Sequence, residues 1–243
     1  MTDTRPSSQW LATVNRLALV ARLLGGTVHD VNNLLQIISG NAELLESNAK
    51  PDLVPKRARA IRTTTGAASA RLADVLAFAR DNDDGIGAVD LRATAQRSLA
   101  LFQHALSKAR VDAAIDAEPT PAVARANARA VLQITLNLIM NAEQALTSRA
   151  GASLRIRLAA RGGQVALTVE DNGRGIAPDC VADLFDVHTW GPVPPAPRPA
   201  DGSTLGIGLA VSQQLARALG GDIVYAAPPS GGCAMTLSLP RMP

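Results

Sequence analysis

Aromatic side chains are scarce: two tryptophans, one tyrosine and three phenylalanines make up 2% of 243 residues. So few rings argue against a base-stacking surface or a sugar-binding platform. Lysine is nearly absent, occurring only at Lys50, Lys56 and Lys108, and 24 basic residues meet 21 acidic ones for a formal net charge of +3. The other basic residues are arginines spread along the chain, which disfavours a polybasic nucleic-acid or membrane patch. Cysteine occurs twice, at Cys180 and Cys233, with no CxxC or Cys/His cluster; a disulfide framework or zinc site is not expected, and a reducing compartment fits. There is no continuous apolar run of about 18 residues, and the opening MTDTRPSSQW lacks the basic start and apolar core of a signal peptide. The expectation is a soluble cytoplasmic protein, without membrane insertion or a nucleic-acid partner.

What the chain does contain is periodicity. From Val14 the apolar positions Val14, Leu17, Ala21, Leu24, Val28, Val31, Leu35, Ile38, Ala42 and Leu45 alternate steps of three and four, the seam of a coiled coil or four-helix bundle. Pro51 ends this run, and a second one follows through Val54, Ala58, Ile61, Thr65, Ala68, Leu72, Val75 and Ala79. Two antiparallel helices of this kind leave a long apolar stripe uncovered, and dimerisation into a four-helix bundle is the economical way to bury it. In that register His29 takes position b and faces solvent, with Asp30 beside it and Asn33 four residues on. An exposed imidazole next to a carboxylate is a candidate nucleophile, because the acid fixes the tautomer and strengthens the base. Gly25 and Gly26 precede it mid-helix, each costing about 1 kcal/mol of helix stability.

A linker at 83–87 separates this hairpin from an α+β sandwich with helices on one face of a mixed sheet. Helices are expected over 90–109, 124–147 and 206–219, and strands over 111–117, 153–160, 164–171, 222–227 and 233–239. The domain boundaries are then 1–84 and 85–243. Asn137 and Asn141 share one helical face, and carboxamide oxygens suit a magnesium ion also held by phosphates. Asp171 ends a strand and is followed by Asn172-Gly173-Arg174-Gly175; the carboxylate can accept a hydrogen bond from an exocyclic amine, and the glycines let backbone approach a flat ligand. Gly202, Gly206 and Gly208 open a helix, whose unpaired backbone amides form an anion site. A proline-rich segment over 191–199 precedes them, in a stretch suited to a lid.

In order and spacing these motifs resemble those of the histidine protein kinases of two-component systems, along nearly the whole chain. GlyGlyThrValHisAspValAsnAsnLeuLeu at 25–35 looks like the family's H box in the HD-x-NN subgroup, and ValLeuAlaPheAlaArg at 75–80 like the end of its second dimerisation helix. Residues 137–142 resemble the N box, 171–175 the first glycine box, Leu184-Phe185 the F box and 202–206 the second glycine box. The resemblance implies the ATP-binding fold shared with gyrase, the Hsp90 chaperones and MutL, with ATP and Mg2+ as cofactors. It implies His29 as phosphoacceptor, Asp30 as the acid orienting it, and Asn33 as the residue helping water attack a regulator's phosphoaspartate. Asn141 would hold magnesium with Asn137 assisting, Asp171 would read the adenine amine with Gly173 and Gly175 lining that pocket, and Gly202, Gly206 and Gly208 would border the phosphates. The implied partners are a second copy of the chain and a response regulator receiver domain; about 25 residues precede the H box and no receiver domain follows, so input is expected either from a separate sensor protein or from a longer chain of which this is a piece.

The chain departs from the family at the lid, where Phe185-Asp-Val-His-Thr-Trp stands in place of FEPFFTTK, and at Thr204, which replaces a glycine. His188 in that loop and His104 in its helix are read as solvent-facing and structural respectively. Two functions are carried forward: a dimeric histidine kinase, and a non-catalytic phosphotransfer or docking protein with a degenerate ATP-binding domain. The altered lid favours the second; Asn141, Asp171 and Gly173 favour the first.

Overall fold

The computed structural model describes residues 7–47, 50–80, 85–186 and 207–243. The chain forms two compact units, one of Val20–Asp81 and one of Met1–Leu19 with Asn82–Pro243. Helix α1 (Ser8–Glu46) runs through both, and α2 (Val54–Ala79) completes the first. Pro55 stands in the first turn of α2, where its missing N–H would have had no intrahelical partner. Within the hairpin, Arg71 Nη1 lies 3.5 Å from Asp30 Oδ2.

Both helices appear where the heptads predict them, but the buried row of α1 is offset from the seam. Leu11, Asn15, Leu19, Leu23 and Thr27 are buried at steps of four, whereas the seam positions Leu17, Leu24, Val28 and Leu35 are exposed. Alpha-helical geometry allows this because a helix apolar on two faces can commit one within the chain and leave the other uncovered. The packing therefore divides the N-terminus differently from the 1–84 and 85–243 boundaries: residues up to Leu19 belong with the sheet unit. Averaged over an 18-residue window, α1 reaches a mean hydropathy of 1.2, enough by length and composition to cross a membrane; core helices of soluble proteins pass the same test.

The sheet unit runs β1 (Gly87–Asp90), α3 (Leu91–Lys108), β2 (Asp112–Ala117), β3 (Val123–Ala126), α4 (Ala128–Ala145), β4 (Ser153–Arg161), β5 (Gln164–Asp171), α5 (Pro178–Val181), α6 (Gly208–Ala218), β6 (Asp222–Ala226) and β7 (Cys233–Pro240). Five strands pair in the order β2-β4-β5-β7-β6. Beta2 and β4 are parallel and the other pairs antiparallel, so the mixed sheet is as expected. A parallel pair needs a crossover, and β3 with α4 supplies it. Two differences from the sequence reading concern short elements. Residues 123–126, of which 124–126 are expected as the start of a helix, pair with β1 as a separate two-stranded ribbon; the helix begins only after Asn127, whose side chain accepts from Ala130 N at 3.0 Å. The one-turn α5 was not expected. Asp90 caps α3 in the same manner, accepting from Arg92 N at 2.8 Å.

Alpha4 is buried nearly all round, with Val131, Leu132, Ile134, Leu136, Leu138, Ile139 and Met140 each at most 4% exposed. It packs on α3, α6 and β5. Across the sheet, β5 places Val165, Leu167, Val169 and Asp171 on the buried face, one residue in two. Leu237 in β7 is fully buried and Val224 in β6 is 58% exposed. Leu237→Ala is expected to cost about 2–5 kcal/mol by urea denaturation, and Val224→Ala to stay within about 0.5 kcal/mol; equal effects would contradict this core.

Candidate functional site

Two clusters of chemistry lie in the two units. In the hairpin, His29 is 58% exposed on its side chain, as its b position predicts, and Asp30 is 21% exposed. Both Asp30 and Asn33 address the same ring nitrogen: Asn33 Nδ2 is 3.2 Å from His29 Nδ1, and Asp30 Oδ1 is 3.9 Å from it. A carboxylate at Nδ1 keeps the proton there and makes Nε2 the basic nitrogen; an amide donor at Nδ1 selects the opposite tautomer. Arg71 shares Asp30. The helix thus holds a nucleophile candidate and two competing selectors of its tautomer on one face.

In the sheet unit, the alternation of β5 delivers Asp171 to the core side at the strand's end. Asp171 is 4% exposed, and its Oδ1 accepts from Gly173 N at 2.7 Å. Burial raises its pKa above the usual carboxylate value, opposed by the backbone N–H groups of Gly173 and Cys233 and by the charge of Arg149. A buried acceptor with a short fixed turn beside it can recognise an amine on a flat ligand. At its glycines the turn has no room for side chains. A Cβ on Gly173 would lie 2.7 Å from Ala145 O, at the end of α4. Gly175, at φ +69°, faces Gly232 O, and a Cβ on Gly232, at φ +90°, would sit 1.9 Å from Asp171 O.

Asn141, on α4, is half-buried, and no hydrogen bond of its carboxamide is found among the described residues. That leaves an oxygen of the kind hard cations take. Asn137, expected to assist it one turn earlier, is placed differently. It is fully buried, and its carboxamide is bonded to Asn15, Ser212 and Gly208. Gly208 starts α6 as expected; Gly202 and Gly206, with Thr204 and His188, lie outside the described residues. Arg174 is exposed, as a turn residue would be.

Four residues that sequence reasoning missed support this region. Asn172 fastens the turn to the start of β4: its Oδ1 accepts from Ser153 N at 2.9 Å and its Nδ2 donates to Gly151 O at 2.9 Å. Gly232 and Cys233 close the other side through the Asp171–Cys233 pairing of β5 and β7, a contact distant in sequence. Asn15 has a legible signal, an amide in the apolar row Leu11, Leu19 and Leu23. A cavity of about 630 Å³ lined by Pro121, Val123, Gly163 and Arg241 shares no residue with this site.

With this geometry in view, the chain can be compared with known proteins. Residues 126–243 match the family described as histidine kinase-, DNA gyrase B-, and HSP90-like ATPase. The signal transduction histidine-protein kinase AtoS of Escherichia coli is 30% identical over 246 residues, covering 100% of this chain and 38% of AtoS. The C4-dicarboxylate transport sensor protein DctB of Rhizobium meliloti is 28% identical over 227 residues, 92% of this chain and 35% of DctB. The chain therefore spans under two fifths of the length of these two relatives. Among solved structures, the catalytic domain of histidine kinase ThkA aligns with a TM-score of 0.54 at 18% identity, over 65% of this chain and 96% of that one. The mycobacterial sensor histidine kinase MprB aligns at 0.52 and 26% identity, over 65% of this chain and 99% of that one.

Cys233 is buried and Cys180 exposed. Burial, with the charge of Asp171, pushes the Cys233 thiol up to about 12. At pH 8 the folded chain is expected to consume one equivalent of an alkylating thiol reagent, at Cys180, and the second only after unfolding; rapid modification of both would mean that the wall beside Asp171 is open.

Proposed function

The chain belongs to the histidine protein kinases, with its ATPase-like domain over 126–243, and from that premise we propose that it autophosphorylates His29 from MgATP and passes the phosphoryl group to an aspartate of a response regulator. The observation that carries this reading is the buried carboxylate of Asp171 at the end of β5, walled by Gly173, Gly175 and Gly232. Asp171 accepts from the adenine amine, and the glycines give the ring its slot. By the resemblance, Gly202, Gly206 and Gly208 would border the phosphates. Asn141 is the residue that would hold magnesium, with Asn137 in reach once its amide is released. Magnesium, when bound, neutralises charge on the phosphates.

His29 Nε2 attacks the γ-phosphorus as the bond to the bridging β–γ oxygen breaks, and ADP leaves. The imidazole loses its Nδ1 proton to Asp30. The protein's contribution is mainly alignment, since a loose phosphoryl transition state asks for little covalent help. Asn137 stands where the resemblance puts the water-activating glutamate of the hydrolases of this fold, and an amide is no general base; transfer to imidazole is therefore favoured over hydrolysis. Asn33 is assigned to the reverse task, positioning water to dephosphorylate the regulator.

The exposed seam of Leu24, Val28 and Leu35 supports a homodimer built as a four-helix bundle. In this reading 1–84 is the dimerisation and phosphoacceptor region, 85–243 the catalytic and ATP-binding region, the setting cytoplasmic, and a sensor protein the source of input. A second reading, a phosphotransfer or docking protein that relays phosphate through His29, is favoured by the replaced lid pattern from Phe185 to Trp190.

Titration with MgATP separates the two. Micromolar binding that falls at least about tenfold, or 1.4 kcal/mol, in Asp171→Asn supports the kinase, because the amide presents a donor to the adenine amine; no detectable binding supports the relay. Paired Leu24→Asp and Leu35→Asp substitutions are expected to halve the solution mass in sedimentation equilibrium; an unchanged mass would place the dimer interface elsewhere.

A further inference from the structure

The first turns of α1 are docked inside the catalytic unit, and the docking is polar at its centre. Asn15 is 3% exposed between the buried Leu11 and Leu19. Its Nδ2 donates to Asn137 Oδ1 at 3.0 Å, and its Oδ1 accepts from Asn137 Nδ2 at 2.9 Å. This is a reciprocal amide pair. The same Asn15 oxygen accepts from Gln133 Nε2 at 2.8 Å, and Gln133 also donates to Ala12 O at 2.9 Å. On its other side Asn137 donates to Ser212 Oγ at 2.9 Å and to Gly208 O at 3.2 Å. Asn137, Gln133, Asn15 and Ser212 are all at most 4% exposed. One network therefore joins the start of α1, the middle of α4 and the first turn of α6.

A carboxamide has one oxygen, and that of Asn137 is held by Asn15. Asn141, one turn further along α4, has no such partner among the described residues. Hard cations take oxygen ligands, so α4 offers one available amide oxygen and one that is covered. Through its Nδ2, Asn137 also holds Gly208 O at the first residue of α6; a Cβ there would meet Asn137 Oδ1 at 3.2 Å. A buried amide whose partner withdraws must find another or bear the cost of desolvation.

We propose that residues 8–19 form an autoinhibitory clasp in which Asn15 occupies the Asn137 carboxamide, and that undocking this segment frees the Asn137 oxygen for the magnesium–nucleotide. The proposal rests on the nucleotide-binding reading and names how that site is regulated. Input from an upstream sensor would act by pulling on the N-terminal end of α1. Because coupling is reciprocal, nucleotide must weaken the clasp by the same factor that the clasp weakens nucleotide.

The test uses the full chain and MgADP, with Asn15→Leu to fill the volume and Asn15→Ala in case leucine packs poorly. Calorimetric titration is expected to show MgADP bound about five- to tenfold more tightly by either folded variant, the scale of one net hydrogen bond to a buried polar group. In wild type, MgADP is expected to speed amide hydrogen exchange across residues 8–19. Binding by the variants alone would support the clasp most strongly. Wild-type binding with equal or weaker binding in both folded variants, or exchange over 8–19 unchanged or slowed by MgADP, would overturn the clasp and leave the kinase reading standing. Binding by no protein would overturn the nucleotide reading, and the clasp with it.

Discussion

A helix can be buried on all sides only if its polar side chains find partners inside, and α4 is subject to that constraint. From Val131 to Glu143 nearly every residue is buried, so α4 has no solvent face to which an amide could be turned. Asn137 is satisfied by α1 and α6, and Gln133 by α1. Asn141, between the buried Met140 and Ala142, is only half-buried. The contrast between the two amides, one saturated and one available, thus comes from the depth of a single helix. Apolar burial along α4 fixes both at once, since the helix cannot rotate to expose Asn137 without drawing Ile134 and Leu138 out of the core.

The sheet contributes the second half of the site by register. Eight residues of β5 pair with β7 so that Asp171 meets Cys233, and the alternation that buries Val165, Leu167 and Val169 carries Asp171 to the same face. A slip of one residue would turn the carboxylate outward along with the apolar row. At Gly173 and Gly232 the backbone lies so near the Ala145 and Asp171 backbone oxygens that an added Cβ would clash. Recognition of a flat ligand is in this account a product of strand register and glycine spacing, and it costs a carboxylate kept in a setting that disfavours its charge.

Much of this was legible in the sequence, for reasons that differ by element. The hairpin helices were, because a heptad sustained over ten positions leaves little choice of period. Asp171 and its glycines were, because they directly follow an alternating strand. The ribbon of β1 and β3 was not: four-residue strands carry too little pattern, and residues 123–126 run without a break into a helical stretch. The burial of Asn137 was not either, since i,i+4 spacing puts it on a face with Asn141 but only tertiary packing shows that Asn15 reaches it. The same is true of the offset on α1, where the heptad of Leu17, Leu24 and Val28 obscures a second row through Leu11, Leu19 and Leu23. Asn172 reads as part of a turn motif, and its bonds to β4 require the fold.

The central claim, that His29 is charged from ATP bound at the Asp171 turn, is tested most directly by incubating purified chain with γ-labelled ATP and magnesium, alongside His29→Ala. The account predicts acid-labile, alkali-stable label on the wild type and none on His29→Ala, with the variant still folded. Absence of label on folded wild type, or label that persists in His29→Ala, would contradict it.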